Sequence, residues 1–463
     1  MILNSRSPSS HSLDFRLLAG FVAMLFLLGG GSRADLSTLV IIRPVAVLLA
    51  AWWGLRIMGR SSGADRWFVR FALATFALAL LHLAPLPPAL WRALPGHELV
   101  ARVDEVAKLG DVWRPLTIAP DAAANALWSL FVPLAAGLGM MHLQPAERRS
   151  MATVVLAMAG LSLALSLAQA FAPSMSFLWF YRITNSGLPV GLFANRNHNA
   201  VFLAAMVPLA AAWAVGAPEG RGRTALRALA AAGAMLAAIV VLVGGSRAGV
   251  IGLAAGLGGA ALLMPLTLDG VRNTKEAARQ RRKFTPRMAG LIAAMVVVPA
   301  ALLVIGLQLG DTGAVGRLTD SGTGDFRPAI WRTTAGLVPQ YLPFGSGLGS
   351  FVEAYLAGEP PAQMMEQYIN HAHNDVLEIA LSLGVPGLVL LAAAVVFVSL
   401  MAIASWRAKP VAGSHVRLSR GAGFVLGILI VASAVDYPLR VPSLAATGVI
   451  ALFWLVLPRW RRS

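Results

Sequence analysis

An all-α polytopic membrane fold is the architecture this 463-residue chain predicts, and three observations predict it. Apolar residues make up 57% of the chain and Asp, Glu, Lys and Arg only 13%, against about 45–50% and about 25% in soluble domains. Apolar stretches near the roughly 20 residues that cross a hydrocarbon core recur along the whole length. The Lys and Arg residues gather in every second connection between those stretches. A soluble chain this poor in charge could not cover its own surface, so the composition excludes an ordinary soluble enzyme and a disordered chain. Cysteine is absent, which excludes a disulfide framework and thiolate metal sites.

Twelve candidate spans follow in order: 15–30, 36–56, 67–86, 122–142, 152–171, 190–215, 226–244, 248–267, 288–307, 375–404, 421–436 and 440–458. The first is short and follows Arg6 and Arg16. It reads as an uncleaved span rather than a signal peptide, because the Ser-Arg-Ala after it is a poor cleavage site. The tenth is long enough to begin outside the bilayer or to tilt. Basic connections follow the second span (Arg56, Arg60, Arg66, Arg70), the fourth (Arg148, Arg149), the sixth (Arg221, Arg223, Arg227), the eighth (Arg272 to Arg287), the tenth (Arg407, Lys409, Arg417, Arg420) and the twelfth (Arg459, Arg461, Arg462). The intervening connections are not basic: 87–121 and 308–372 carry more acids than bases. This alternation places both termini in the cytoplasm by the positive-inside rule. It also accounts for the net charge of +17 without nucleic acid.

The chain therefore divides into a bundle at 1–307, holding nine spans and an outer loop at 87–121, a large outer loop at 308–372, and the last three spans at 373–463. A loop of the length of 308–372 is more often functional than passive. Short helices are expected in it, lying at the membrane face, one of them around Phe351–Tyr355.

Polar groups beside a bilayer are costly and point to function. Four clusters fall on the outer side. Asn195-Arg196-Asn197-His198-Asn199 opens the sixth span as a polar cavity wall, or as a snorkelling helix end. Gly244-Gly245-Ser246-Arg247-Ala248-Gly249 forms a tight turn whose arginine holds an anion, or is an ordinary interfacial residue. Arg327 precedes a short amphipathic helix with Pro328 in its first turn. Its guanidinium suits phosphate oxygens, or pairs with Asp325 or another loop acid. His371-Ala372-His373-Asn374-Asp375, followed by Glu378, enters the tenth span. A histidine there suits general-base work, with Asp375 or Glu378 to orient it; metal ligation and helix capping are the competing readings.

These clusters resemble the O-antigen ligase and polymerase superfamily, integral membrane glycosyltransferases that act on polyprenyl-linked glycans. His373, Asn374, nine residues, Gly384, two residues and Gly387 match the ligases' His-[Asn/Ser/Gln]-x9-Gly-x-x-Gly pattern. Phe193 to His198 resembles the family's Phe-x-Asn-Arg-Asn-His segment, and Ser246-Arg247 its Ser-Arg-Gly, with Ala248 in place of the glycine. Arg327, Trp331 and Pro343 to Phe351 resemble its Arg-x-x-x-Trp … Pro-x-Gly-x-Gly-x-Gly-x-Phe stretch. Pro85 to Trp91 and Trp113 to Leu116 look like its first large outer loop. The resemblance covers about residues 85–390.

The resemblance implies a donor glycan on undecaprenyl pyrophosphate, an acceptor such as lipid A core or another glycan, no metal or other cofactor, and a periplasmic active site in a bacterial inner membrane. It makes Arg247 and Arg327 the pyrophosphate ligands and His373 the base or the group that positions the acceptor. Arg196, Asn195, His198, His371 and Asn374 would line the substrate. A ligase, a repeat-unit polymerase and an oligosaccharyltransferase share this chemistry and differ in acceptor. A transporter of lipid-linked glycans fits the span count but would carry its polar breaks at mid-bilayer; a non-catalytic scaffold is the remaining reading.

Overall fold

A computed structural model describes residues 11–57, 65–216, 221–264, 326–361, 364, 369–408 and 415–456. Its helices are α1 (Leu13–Leu28), α2 (Leu39–Ile57), α3 (Arg66–Leu83), α4 (Pro88–Trp91), α5 (Glu98–Val106), α6 (Pro120–Ser129), α7 (Phe131–His142), α8 (Pro145–Phe171), α9 (Arg196–Gly216), α10 (Arg221–Gly244), α11 (Arg247–Leu263), α12 (Arg327–Tyr341), α13 (Phe351–Gly358), α14 (Asp375–Arg407), α15 (Val416–Ser433) and α16 (Pro442–Val456). The described residues include one small antiparallel ladder, β1 (Pro85–Leu86) with β2 (Arg114–Pro115).

The chain is an all-α polytopic membrane protein. Eight of the described helical segments are long and apolar enough to cross a membrane, with α6 and α7 counting as one; α11 and α16 are shorter and equally apolar. Each predicted span coincides with a helix, except 288–307, which lies outside the described residues together with Asp325 and the basic run Arg272 to Arg287. The loop after it carries the expected short helices, α12 and α13.

Helix ends pair in an up-and-down order. At one end, Arg56 closing α2 binds Asp14 opening α1 at 2.6 Å. Arg148 in the first turn of α8 reaches Asp65 beside α3 at 3.4 Å, and Arg417 at the start of α15 donates to the Val215 carbonyl closing α9. Arg56, Arg148 and Arg417, from three of the basic connections, thus share this end. At the other end, Ser443 N–H of α16 donates to the Gly29 carbonyl after α1, and Gln169 near the end of α8 bonds both N–H and carbonyl of Gly191 ahead of α9.

The core is built around α9. Its apolar window is 83% buried, against 11% for α14, so α9 is enclosed by protein and α14 is largely exposed. Helices α8, α10, α11 and α15 pack on α9. Small residues permit the approach: a Cβ on Gly256 would strike the Ala204 carbonyl at 2.5 Å. In a bilayer, where no hydrophobic gradient separates helix from lipid tail, such close packing supplies much of the association.

Helix α14 is broken at Gly384 (φ 57°, ψ −148°), with Pro386 two residues on. The break frees backbone groups that α14 cannot satisfy itself, and the segment before α13 satisfies them. Ser346 N–H donates to Leu381 O (2.8 Å), Gly347 N–H to Ser382 O (2.9 Å), and Val385 N–H to Pro343 O (2.9 Å). A Cβ on Gly384 would collide with the Pro343 carbonyl, and one on Gly345 (φ 87°) with Ser382. The glycines of two motifs distant in sequence thus form one joint, through which the outer loop grips a span. A side chain at φ near +57° costs about 1–2 kcal/mol before any clash. Gly384→Ala is therefore expected to lower the thermal unfolding midpoint of the purified protein by several degrees. Gly336→Ala, at an exposed position in α12 with no atom near its Cβ, is expected to leave it unchanged or raise it. Equal midpoints for the two variants would refute the joint.

Candidate active site

Most of the residues singled out from sequence meet at the end of the bundle opposite the basic connections. The centre is a residue the sequence reading did not single out. Asp436 follows α15 in the short turn before α16 and is 1% exposed. Its Oδ1 lies 3.1 Å from His373 Nδ1, and its Oδ2 lies 3.6 Å from an Arg327 terminal nitrogen. Burial alone would raise the Asp436 carboxyl. The His373 hydrogen bond, with the His198 and His373 imidazoles and the Arg327 guanidinium nearby, outweighs it and holds the group well below the usual carboxylate range. An ionised carboxylate only accepts hydrogen bonds, so His373 donates through Nδ1, and in the neutral ring the lone pair is on Nε2.

His373 sits at φ +52°, a left-handed conformation that a residue with a side chain keeps only when its surroundings hold it. The restraints are visible. Trp331 Nε1–H donates to the His373 carbonyl at 3.3 Å. Trp331 is four residues after Arg327 on α12, so one helix face reaches both the His373 backbone and Asp436. Asn374 caps α14 through its side-chain oxygen, which accepts from Val376 N–H (3.0 Å) and Leu377 N–H (3.1 Å).

Of the two acids expected to orient a histidine of this cluster, Glu378 holds His371: its Oε1 accepts from His371 Nδ1 at 2.9 Å, and its Oε2 from Ala372 N–H at 2.9 Å. Asp375 pairs with Arg440 instead, and His373 takes Asp436, which the sequence did not suggest.

Tyr437 stands among three imidazoles, with ring centroids 4.4 Å from His371, 4.8 Å from His373 and 5.1 Å from His198. Burial, then the Asp436 charge, raises its phenol well above the ordinary value, so it stays neutral. His198, in the first turn of α9, is 1% exposed, and neither ring nitrogen has a hydrogen-bond partner among the described residues.

Asn195 caps α9: its Oδ1 accepts from Asn197 N–H at 2.8 Å, and its carbonyl from Asn199 N–H. Arg196 donates to the Gly244 carbonyl at 3.1 Å, which ties α9 to the turn carrying Arg247. Ser246 caps α11, accepting from Gly249 N–H at 3.1 Å, and Gly249 lies directly against Ala200 of α9. Arg247 therefore stands beside the α9 cluster. Arg196, Arg247 and Arg327 are each the first residue of a helix at this end. A helix N-terminus already carries about half a positive charge, so three guanidiniums there make a strongly positive region suited to a multivalent anion.

The sequence reading missed Asp436, Tyr437 and Arg440. The available signal was an acid and an arginine within the short connection between the last two apolar stretches, where charge is expensive. Among the described residues, no group of three or more His, Asp or Glu side chains is arranged to hold a metal ion.

Residues 232–392 match the protein family described as O-antigen ligase. The matched stretch contains Arg247, Arg327, His371 and His373, and ends within α14; the α9 cluster and Asp436 lie outside it. The match supports the O-antigen ligase superfamily for this chain, and with it an enzyme of ligase or polymerase type. No curated protein matches the chain.

Asp436→Asn leaves the shape and removes the charge. Breaking such a buried pair costs about 3–5 kcal/mol. Because folding lowers the carboxyl's affinity for protons, its stabilisation is complete above the unfolded carboxylate pKa and is lost as pH falls below about 4. The unfolding midpoint of Asp436→Asn is expected to fall well short of wild type at pH 7, and the gap to narrow below pH 4. A gap independent of pH would show that the charge is not what matters.

Proposed function

We propose that this O-antigen ligase-type membrane protein is a glycosyltransferase that moves a glycan from undecaprenyl pyrophosphate to an acceptor hydroxyl, at the periplasmic face of a bacterial inner membrane. Lipid A core or a related glycan is the acceptor. The observation that carries the reading is the buried Asp436 carboxylate holding His373 by Nδ1, beside Arg327, at a bundle end where three arginines open helices.

The residues supply each part of such a step. The acceptor hydroxyl gives its proton to His373 Nε2 while its oxygen bonds to the anomeric carbon of the donor. The bond from that carbon to the diphosphate oxygen breaks, and the polyprenyl diphosphate leaves with the electron pair. Attack from the side opposite the leaving group inverts the anomeric centre. Arg327 and Arg247 meet the charge that develops on the diphosphate, as fixed donors that need no reorganisation. The N-termini of α9, α11, α12 and α14 add positive potential in the same place. Arg196, His198 and His371 line the substrate, with Asn195 and Asn374 holding the helix starts that carry them. The polyprenyl tail lies in lipid along the spans, and the sugars lie under α12 and α13.

A repeat-unit polymerase would run the same step with another lipid-linked glycan as acceptor. The test is transfer activity in liposomes with a purified undecaprenyl-pyrophosphate glycan and candidate acceptors, products being resolved on a gel. Wild type is expected to add glycan to lipid A core once, whereas a ladder of lengths would make it a polymerase. Arg327→Ala and His373→Ala are each expected to lower transfer by at least about a hundredfold, the range for loss of a positioned base or charge donor. Full transfer by both variants would overturn the site. Movement of the lipid-linked glycan across the bilayer with no transfer would make the protein a transporter.

A further inference from the structure

Behind the histidine pair lies a second set of charges that the step above does not use. Arg440 ends the same turn that Asp436 begins. Its Nε is 2.8 Å from Asp375 Oδ1, and a terminal nitrogen is 3.0 Å from Glu378 Oε1. Glu378, 2% exposed, passes the contact on to His371 Nδ1 and to Ala372 N–H, both at 2.9 Å. The five-residue turn 436–440 thus holds the His371-Ala372-His373 tripeptide at both ends: directly at His373, and through Glu378 at His371.

We propose that Arg440 is a positioning residue of the transfer step, fixing Glu378 and through it the backbone that presents His373. This rests on the glycosyltransferase reading given above. One hydrogen bond from Nδ1 to Asp436 leaves the imidazole free to pivot about that contact and does nothing for the main chain. The main chain at His373 needs restraint, since φ +52° is a conformation it would leave if released. The bond from Ala372 N–H to Glu378 is the restraint on its N-terminal side, as Trp331 is on the C-terminal side.

Glu378 can hold that place only while a cation is with it. Asp375 and Glu378 lie three residues apart on one helix face and are 8% and 2% exposed. Without Arg440, two buried carboxylates would face each other, which raises the proton affinity of one or turns it outward. The guanidinium fork serves both carboxylates at once from a fixed plane; an ammonium is a point charge that cannot reproduce the fork. Charge and fork shape are therefore separable by substitution.

The experiment measures kcat, KM for the undecaprenyl-pyrophosphate glycan, and unfolding midpoint for wild type, Arg440→Lys, Arg440→Met and Glu378→Gln. Arg440→Met is expected to lower kcat about a hundredfold, with KM within about threefold of wild type. Arg440→Lys is expected to recover part of kcat, landing about tenfold below wild type. Combining Arg440→Met with Glu378→Gln should cost no more than the worse single change, because the two residues act through one contact. Three results overturn the proposal: unchanged kcat in Arg440→Met, a loss carried by KM, or a loss in Arg440→Lys that merely follows a fallen midpoint. Should Arg440→Met fail to fold, the Lys variant and Glu378→Gln still decide it, by kcat at an intact midpoint. Absence of transfer by wild type would instead defeat the glycosyltransferase reading.

Discussion

The organising constraint in this protein is a carboxylate that has no access to water. A charge buried beside a bilayer is stable only when paired, and Asp436 takes its partners from outside its own helix pair: His373 at the entry of α14 and Arg327 at the start of α12. That requirement draws together three stretches of chain separated by some of the longest apolar helices in the fold. It also places a proton on His373 Nδ1, because an ionised acceptor demands a donor. The neighbouring Tyr437 ring packs against all three imidazoles and fixes their spacing without adding charge of its own. Fold and site are therefore one arrangement at this end of the bundle.

The second constraint is the broken helix. Interrupting α14 at Gly384 exposes main-chain groups next to the membrane, where each unsatisfied one costs several kcal/mol. The segment 343–347 satisfies them and is itself anchored to the first outer loop through Ile118 N–H to Ser346 O, while the adjoining Leu348 N–H donates to His82 Nδ1 near the end of α3. The outer helices α12 and α13 are therefore held by backbone hydrogen bonds as well as by side-chain packing. Since α12 carries Arg327 and Trp331, the placement of both side chains against Asp436 and His373 depends on a joint made largely of glycine.

Much of this was legible in the sequence, and the physical reasons differ from element to element. Spans are written in continuous apolar runs, so eleven of the twelve predicted ones have a helix at the same place. The alternation of basic connections is a local property too, and Arg56, Arg148 and Arg417 do share one end. His373, Arg247 and Arg327 stood out because polar residues are rare beside such runs. What did not stand out was pairing. Glu378 is five residues from His373 and was the natural partner by proximity, yet helix geometry aims it at His371, while Asp436, 63 residues away, takes His373. Nothing in the periodicity of α15 or α16 says which other helix their connecting turn will meet. Asn195 and Asn374 illustrate the complementary case: their side-chain oxygens cap the helices that present their neighbours.

The arginines at the two ends of the bundle differ in how far the protein encloses them. Arg148 is 1% exposed and donates to the main-chain carbonyls of Leu143 and Met141 as well as facing Asp65. Its own carbonyl receives the Trp454 indole N–H. Such a residue joins α3, α7, α8 and α16 and has its charge shared out within the protein. Arg327, by contrast, keeps 22% of its side chain exposed and opens a helix, as Arg196 and Arg247 do at the same end. Helix dipoles favour cations at C-termini and disfavour them at N-termini, so an arginine that opens a helix is held there by its own contacts: Arg196 by the Gly244 carbonyl and Arg327 by the Asp436 carboxylate.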